Sequence, residues 1–341
     1  MDIARVVGAT EKMDGYCTGN GYMVTWALGH LVQLALPGTY GYTKTTAADL
    51  PMLPDPFRLV SRLIRTDKGT VTDLTASRQL KIIEGVFSRC ESIIVATDAG
   101  REGELIFRWI YDYLGCTKPF MRLWISSLTD EAIREGMANL RNGSDYDSLH
   151  AAADCRAKAD WLVGMNASRA LAIATSSANN SIGRVQTPTL AMLTERQNKI
   201  QNFVKEPYYK VEITGNGIVA ESERMAQEQD ADTMQAACDG QCAVVGSIER
   251  KRKEQSAPKL YDLTTLQREA NRYYGFTASQ TLKIVQELYE EKLVTYPRTD
   301  SQYITEDMQQ TMADLLKHYG GEADGVKQVV NNKMVTDHLS L

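Results

Sequence analysis

Several features that would assign this chain to a familiar class are missing from its sequence. No apolar run approaches the ~20 residues that a membrane-spanning helix needs, and the first residues form no apolar signal-peptide core. The six cysteines are scattered without a C-x-x-C pair, which argues against a zinc site. No G-x-x-x-x-G-K-[S/T] phosphate loop occurs. We therefore expect a protein of the cell interior with free thiols and no ATP-binding loop.

The composition is that of a folded globular protein. Hydrophobic residues make up 43% and charged residues 24% of the 341 residues, which excludes wholesale disorder and favours two or three domains. The net charge is −5, but residues 151–200 contain six Lys and Arg against three Asp and Glu, and residues 250–300 contain ten against seven. Local basic surfaces can hold phosphate although the whole chain is acidic. Two ordinary solvated helix surfaces are the alternative.

The first 150 residues alternate short apolar runs with helical patterns, which predicts an α/β domain. Residues 22–26 and 92–97 are predicted strands, and the second is continuously apolar, as in a buried parallel sheet. A helix is expected over residues 103–113, and Thr129 is expected to cap another. One long helix is predicted over residues 151–174.

After residue 174 the sequence predicts loops, strands and helices in turn. Residues 176–180 are predicted to form a loop, and strands are expected over residues 208–213 and 242–248. Residues 293–296 are predicted to be a short strand or extended run that stops at Pro297. Two Thr-x-x-Gln pairs fit the capping box at a helix start, Thr264 with Gln267 and Thr277 with Gln280.

The first candidate site follows the apolar strand at residues 92–97. Asp98 and Glu102 flank the point where that strand gives way to a helix. Ligands bind at the carboxyl edge of a parallel sheet, and carboxylate oxygens suit Mg²⁺, which one or two protein carboxylates hold together with waters and phosphate. Arg101 and the helix N-terminus favour an anion. The pattern predicts a magnesium site, with an ordinary turn of solvated charges as the alternative.

The second candidate site is Tyr296-Pro297-Arg298. Residues i and i+2 of an extended chain face the same side, so Tyr296 and Arg298 are expected to point together. A phenol beside a guanidinium suits phosphoryl chemistry, because the phenol oxygen can attack phosphorus while the arginine stabilises charge on the phosphate oxygens. A buried tyrosine next to a surface arginine is the alternative.

The third candidate site lies between residues 183 and 188. Arg184, Gln186 and Thr187 are crowded before a predicted helix, where they can bind a phosphodiester backbone. A plain loop with Pro188 at the helix start is the alternative.

Five sequence blocks occur across nearly the whole chain, at residues 24–31, 96–106, 157–166, 182–190 and 288–301. Together, and in this order, they resemble those of type IA DNA topoisomerases, specifically the bacterial topoisomerase III branch. The resemblance implies a multidomain fold, α/β plus α, in which a Toprim Rossmann-like domain precedes CAP-like helical domains and part of a β-rich arch, as an incomplete type IA topoisomerase torus. The implied domains are Toprim over residues 1–150, a helical gate-base domain over 151–204, a partial β arch over 205–256 and the active-site tyrosine domain over 257–341.

The resemblance also implies an activity and its partners. The enzyme would cut one DNA strand through a 5′-phosphotyrosine on Tyr296 with the help of Arg298, pass another strand through the gap and reseal it. It would need Mg²⁺, held by Asp98 and Glu102, and no ATP. Its partners would be single-stranded and negatively supercoiled DNA and a helicase, with no membrane, in the bacterial cytoplasm at the nucleoid or a plasmid. The residues expected to bind DNA are Arg156, Lys158, Arg169, Arg184, Gln186, Thr187 and His338.

Two other functions compete with this one. A non-catalytic remnant could hold single strands through the basic residues of the DNA-binding set. A nuclease or primase could use the Toprim residues alone, but it would have no need of Tyr296-Pro297-Arg298 or of residues 183–190.

The chain departs from the family pattern in three places. A first strand with a Glu-Lys-Pro-Ser-like stretch is absent, and Glu11-Lys12 does not replace it, since no apolar strand precedes it. Gly100 stands where the family's second Asp is found, a form that part of the topoisomerase III branch resembles. Residues 335–341 match a Thr-Asp-His-His-Ala-Ile-like block only as far as His338. We expect from these departures a chain truncated at both ends, in which the torus cannot close and relaxation activity is weak or absent.

Overall fold

The structure is a computed structural model that describes residues 1–43, 46–67, 69–177, 180–255, 257–321, 323–335 and 338–341. The chain forms two compact units, which we call the larger unit (residues 1–184 with 257–341) and the smaller unit (residues 185–256). In the described residues, no helix combines the length and apolar character that crossing a bilayer requires. The domain boundaries expected from the sequence stay predictions.

The larger unit begins with a short helix and a series of antiparallel strands. β1, β2 and β3 form one sheet, β4 pairs with β5, and β6 pairs with β7. The predicted strand at residues 22–26 is confirmed as β3. The bounds are α1 (Asp2–Val7), β1 (Glu11–Met13), β2 (Tyr16–Gly19), β3 (Tyr22–Thr25), β4 (Val32–Leu34), β5 (Leu59–Ser61), β6 (Leu63–Thr66) and β7 (Gly69–Thr72).

A parallel strand pair joined by a helix follows, and this part positions the candidate site. After α2 (Leu74–Arg89), β8 (Ile93–Val95) pairs in parallel with β9 (Phe120–Arg122), and α3 (Arg101–Tyr113) connects them. β9 also pairs with the antiparallel β10 (Arg141–Asn142). Ile93 and Val95 are both buried, so the apolar run predicted to lie in a parallel sheet does so. Thr129 caps α4 (Asp130–Ala138) as expected, since its hydroxyl accepts from the Ala132 N–H.

The long helix expected after residue 150 is α5 (Asp147–Thr175). It packs on α3 because both helices present apolar side chains to one core, where Trp109 of α3 and Trp161 of α5 are 6% exposed. The Trp161 indole donates a hydrogen bond of 2.9 Å to the Ala35 carbonyl, which satisfies its polar atom inside that core. Of the predicted loop at residues 176–180, Ala178 and Asn179 lie outside the described residues.

The C-terminal part of the larger unit is mainly helical, with α8 (Leu263–Tyr274), α9 (Ala278–Glu290) and α10 (Gln309–His318). The capping box of Thr277 and Gln280 at the start of α9 is confirmed. The box predicted for Thr264 is wrong, because α8 begins two residues earlier and the Asp262 carboxylate accepts from the Thr265 N–H at 2.6 Å. A small second core forms around Ile304, Val326 and Val329.

The predicted strand at residues 293–296 is wrong. The chain turns at Lys292, whose φ is +62°, and continues through bends. Pro297 has no N–H to offer a sheet, and its ring is fully buried. The local backbone therefore leaves extended geometry just before the residues of the second candidate site.

The smaller unit contains α6 (Gln186–Gln201), the hairpin of β11 (Glu212–Gly215) and β12 (Ile218–Glu221), and α7 (Glu228–Cys238). The hairpin overlaps the predicted strand at residues 208–213 only at its end. The strand predicted at residues 242–248 is wrong, since the described residues from 239 to 255 form neither helix nor strand. A short apolar run forms a stable strand only when another strand pairs with it, and Val244 is 85% exposed.

Candidate active site

A tight turn carries Asp98 from the end of β8 to the start of α3. The Gly100 N–H donates to the Asp98 carbonyl at 2.8 Å, and the Thr97 hydroxyl donates to the Gly103 carbonyl at 2.7 Å. Helix and turn approach so closely that a Cβ built on Gly103 would lie 2.1 Å from the Asp98 carbonyl oxygen. Only glycine fits at position 103 without moving the turn.

We expect Gly103→Ala to disturb the Asp98 turn strongly. The added methyl group collides with backbone, which cannot rotate away as a side chain can, so a loss of roughly 1–3 kcal/mol in the free energy of unfolding is expected. Urea unfolding followed by circular dichroism measures it. Gly85→Ala in α2 is the matched control, because its added Cβ would meet no atom within 4 Å. Equal behaviour of the two variants would contradict the prediction.

A buried ion pair between Arg122 and Glu104 supports the same turn on its interior side. Arg122 of β9 donates to the carbonyls of Val95, Thr97 and Asp98 at 3.0, 2.7 and 2.5 Å. Its guanidinium also lies 3.1 Å from the Glu104 carboxylate, and both side chains are 1% exposed. Burial lowers the pKa of Arg122, and the Glu104 charge opposes that change. The sequence argument missed this pair, although an arginine inside the apolar run at residues 120–124 could have indicated it.

The two predicted metal ligands lie on the solvent side of the turn. The side chains of Asp98 and Glu102 are 57% and 62% exposed. Glu102 lies 3.2 Å from His30 Nε2 and 4.0 Å from a guanidinium nitrogen of Arg156. Asp98 lies 3.8 Å from His338 Nε2. Each carboxylate therefore has a histidine beside it, and Glu102 has a cation as well.

Tyr296 lies beside this acidic edge although it is distant from it in sequence. Its half-buried ring is 4.4 Å from the His338 ring and 5.5 Å from the Tyr289 ring, measured between centroids. Burial raises the pKa of Tyr289, and the charge of Asp98 raises it further, so this phenol stays neutral. Tyr289, Tyr296, His338 and Asp98 thus form one continuous row. Thr336 and Asp337, which precede His338 in the block compared with the family, lie outside the described residues.

The structure does not support the argument that paired Arg298 with Tyr296. That argument required an extended strand, whereas the chain bends there, with Tyr296 half-buried and Arg298 exposed. Within the described part of the chain, no hydrogen bond or ion pair joins the two side chains. The catalytic role of Arg298 stays a prediction that rests on the resemblance.

The residues predicted to bind DNA fall into separate places. Arg156 and His338 lie beside the two carboxylates. Lys158 pairs with Asp154 at 2.5 Å and Arg184 with Asp160 at 2.5 Å, in both cases on the surface of the larger unit. The guanidinium of Arg169 donates to the Tyr42 carbonyl, a contact that supports the fold. Gln186 and Thr187 belong to the first turn of α6 in the smaller unit. A DNA contact stays a prediction for each of these residues.

The site can be tested for its fit to a metal ion. In the described residues, no group of three or more His, Cys, Asp and Glu side chains is placed to hold one. Two accessible carboxylates beside a helix N-terminus nevertheless match Mg²⁺, which keeps several waters and is held by one or two carboxylates plus substrate phosphate. Asp98 and Glu102 are therefore suited to Mg²⁺ in number, charge and exposure.

Comparison with known proteins gives a consistent result. A family model described as DNA topoisomerase matches residues 144–340, and a Toprim domain model matches residues 2–128. Toprim is a metal-binding domain. Proteins named DNA topoisomerase 3 from Shouchella clausii and Bacillus cereus are 42% and 45% identical to this chain, over 100% and 94% of its length. The chain spans about half the length of these relatives, 49% and 44%.

A solved structure, full-length topoisomerase I from Thermotoga maritima, is similar to this chain with a TM-score of 0.59 and 22% identity. The likeness covers 98% of this chain and 56% of that one, and at this identity it shows the fold alone. The predicted fold class, a Toprim domain followed by type IA topoisomerase domains, is confirmed. The chain belongs to the DNA topoisomerase family, in the topoisomerase III branch of its type IA members.

Proposed function

We propose that this chain carries the strand-cleavage centre of a type IA DNA topoisomerase. The observation that supports it best is the row of side chains in which the Tyr296 ring lies 4.4 Å from His338, and His338 lies 3.8 Å from Asp98 of the Toprim turn. A phenol, an imidazole and a carboxylate from two distant parts of the chain meet at one accessible edge. A nucleophile, a proton carrier and a metal ligand are what phosphodiester transesterification requires.

In the proposed reaction the Tyr296 oxygen attacks a phosphorus atom of single-stranded DNA. The new bond joins that oxygen to the 5′-phosphate, and the bond from phosphorus to the 3′ oxygen breaks. The phenol proton leaves as the bond forms, and the departing 3′ oxygen takes up a proton. Resealing is the reverse, with the 3′-hydroxyl attacking the phosphotyrosine. No bond energy is lost in either direction, so the cycle needs no ATP.

His338 is placed to handle the proton in this exchange. Its ring packs against the phenol ring, and its Nε2 lies 3.8 Å from the Asp98 carboxylate. A histidine in this position can take the phenol proton and return one to the 3′ oxygen, because an imidazole can act as general base and as general acid. Tyr289, held neutral, packs edge-on against the Tyr296 ring at 5.5 Å between centroids.

Magnesium is the metal we propose for Asp98 and Glu102. Bound there, Mg²⁺ supplies positive charge to the phosphate oxygens. Arg156, 4.0 Å from Glu102, adds a second cation at the same edge and can contact the DNA backbone. The proposed partners are single-stranded and negatively supercoiled DNA, with a helicase, and the proposed location is the bacterial cytoplasm. Relatives named DNA topoisomerase 3 support DNA as the substrate.

A labelled oligonucleotide tests the proposal directly. We expect the protein, mixed with 5′-unlabelled and 3′-labelled single strands and Mg²⁺ and then denatured, to retain label in a covalent adduct through the newly exposed 5′-phosphate. The competing function, a non-catalytic remnant that only holds single strands, predicts salt-sensitive binding and no adduct. It is not favoured, because the family match includes the Tyr296 region.

A change at Asp98 tests the metal site separately. We expect Asp98→Asn to raise the Mg²⁺ concentration for half-maximal cleavage and resealing by at least about ten-fold. Replacing a residue that only orients a metal ligand already lowers metal affinity by about 10–100-fold, and Asp98 is proposed as a ligand itself. A Mg²⁺ titration of oligonucleotide turnover measures this. Asp145→Asn is the matched control, an exposed aspartate of the same part of the chain. An unchanged midpoint in Asp98→Asn would remove Asp98 from the metal site.

A further inference from the structure

Polar contacts between described residues hold the segment that carries Tyr296 against the Toprim part of the chain. Lys292 pairs with Asp2 at 3.1 Å, but the lysine side chain is 71% exposed. Ion pairs that are this exposed contribute little to stability. His338 and Asp98 belong to the reacting row itself. The third contact joins Asp307 to Ser127 and Thr129, and nothing in the proposed chemistry uses it.

Asp307 makes the most enclosed of these contacts. One of its carboxylate oxygens accepts hydrogen bonds from the hydroxyls of Ser127, at 2.9 Å, and Thr129, at 2.8 Å. Ser127 is only 6% exposed. Each hydroxyl also accepts from a backbone N–H, Ser127 from Thr129 at 3.3 Å and Thr129 from Ala132 at 3.3 Å. The Ser127 hydroxyl could also donate to the Thr129 hydroxyl oxygen at 3.4 Å, but the Asp307 carboxylate oxygen is closer, at 2.9 Å, and is the stronger acceptor.

The charge on Asp307 suits this position. Burial would raise the pKa of Asp307, but hydrogen bonds from neighbouring threonine and serine hydroxyls outweigh burial and lower it, so the group is ionised at neutral pH. Thr129 is the N-cap of α4, and a negative charge is stabilised near a helix N-terminus. An ionised acceptor makes hydrogen bonds about twice as strong as a neutral one does.

A continuous path of contacts leads from Asp307 to Tyr296. Three residues before Asp307, Ile304 lies in the small core with Val326 and Val329. The adjacent Tyr303 carbonyl accepts from the Ser340 N–H at 3.0 Å, and the Ser340 carbonyl accepts from the Thr295 hydroxyl at 2.5 Å. Thr295 precedes Tyr296, so these contacts connect the Asp307 region to the segment that carries the phenol.

We propose that Asp307 is a positioning residue, which holds the Tyr296 segment on the Toprim domain through Ser127 and Thr129 and so aligns the phenol with the metal edge. This inference rests on the proposed cleavage activity. It assigns no contact with DNA to Asp307, and it predicts a defect in the rate of the bond-forming step rather than in DNA binding.

The test is a double-mutant cycle on the rate of adduct formation. Asp307→Asn keeps the size of the side chain and removes its charge, and Ser127→Ala removes one donor from the other side. With saturating oligonucleotide, each variant is expected to form the adduct roughly ten-fold or more slowly, about the effect of losing one charge-assisted hydrogen bond. The double variant is expected to be no slower than the slower single variant, because both changes weaken the same contact between residues 127 and 307.

Three controls separate positioning from other effects. Thermal unfolding checks that each variant folds, and Ser127→Ala alone carries the test if Asp307→Asn does not fold. The oligonucleotide Kd is expected to stay unchanged, and a Kd that rises in parallel with the rate defect would overturn the proposal. Asp314→Asn in α10 is the matched control, since its carboxylate is bonded only within that helix by Gln310 among the described residues.

The outcomes also separate this inference from the proposed function. If the unaltered protein forms no adduct, the proposed activity fails. If the unaltered protein forms the adduct and Asp307→Asn forms it equally fast, the activity stands and the positioning role is overturned. Rate defects that simply multiply in the double variant would likewise overturn it, because they would show that Asp307 and Ser127 act independently.

Discussion

Replacement of Tyr296 by phenylalanine is expected to abolish the covalent adduct between protein and DNA while leaving oligonucleotide binding intact. The change removes one oxygen atom, the proposed nucleophile. The other phenol of the row, Tyr289, is a poor replacement, because burial raises its pKa and so disfavours its ionised, nucleophilic form. Loss of a catalytic nucleophile costs on the order of 10⁶-fold in rate in well-studied hydrolases, so we expect no detectable adduct.

The variant should remain folded, which makes the experiment interpretable. The Tyr296 ring keeps its contacts with His338 and Tyr289, and its hydroxyl makes no hydrogen bond within the described residues. Tyr319→Phe is the matched control, since that ring is 80% exposed at the end of α10. Adduct yield after denaturation and fluorescence anisotropy with a labelled oligonucleotide measure the two quantities. An adduct of normal yield in Tyr296→Phe would exclude this residue as the nucleophile.

The features predictable from sequence are those that depend on neighbours along the chain. The apolar strand before Asp98, the Thr129 cap and the Thr277 capping box each need only a few adjacent residues, and each is present. The long helix α5 follows from sustained periodicity in the same way. Tyr296 and Asp98 were singled out by residue chemistry and local spacing, and the structure brings both to one edge.

The failures came where a partner distant in sequence decides the outcome. Residues 242–248 form a short, mostly apolar run, but no described strand pairs with them. The alignment of Arg298 with Tyr296 assumed extended backbone, whereas the chain bends at Pro297 and Arg298. Nothing in the spacing of residues 104, 122 and 307 indicates that Glu104 meets Arg122 or that Asp307 meets Ser127. An arginine inside an apolar run can indicate a buried charge, but only the folded chain shows which residue pairs with it.

The second large effect is expected at Arg122. Arg122→Met should destabilise the protein by about 3–5 kcal/mol, the range found when one partner of a buried ion pair is removed. Methionine fills a similar volume, so the loss comes from charge and hydrogen bonding rather than from a cavity. Glu104, 1% exposed, keeps Arg108 at 2.9 Å but loses its second cation. The three carbonyls of the turn lose their shared donor at the same time.

Urea unfolding measures the loss, and Arg78→Met is the matched control. Arg78 pairs with Asp14 on the surface, where the two side chains are 70% and 72% exposed, so its removal should change stability by about 0–1 kcal/mol. Similar midpoints for the two variants would show that the Arg122 guanidinium is not the support that its contacts indicate.

A second change separates the two roles of Arg122. Glu104→Gln added to Arg122→Met removes the uncompensated carboxylate, and the double variant should therefore be more stable than Arg122→Met alone. It should not regain cleavage activity, because the carbonyls of Val95, Thr97 and Asp98 still lack the donor that holds the turn. The Mg²⁺ concentration for half-maximal oligonucleotide turnover is measured in both variants. If the double variant regains stability but not the normal Mg²⁺ midpoint, Arg122 serves the metal site by holding the Asp98 backbone. If the double variant regains both its stability and the normal Mg²⁺ midpoint, Arg122 contributes only by balancing the charge of Glu104.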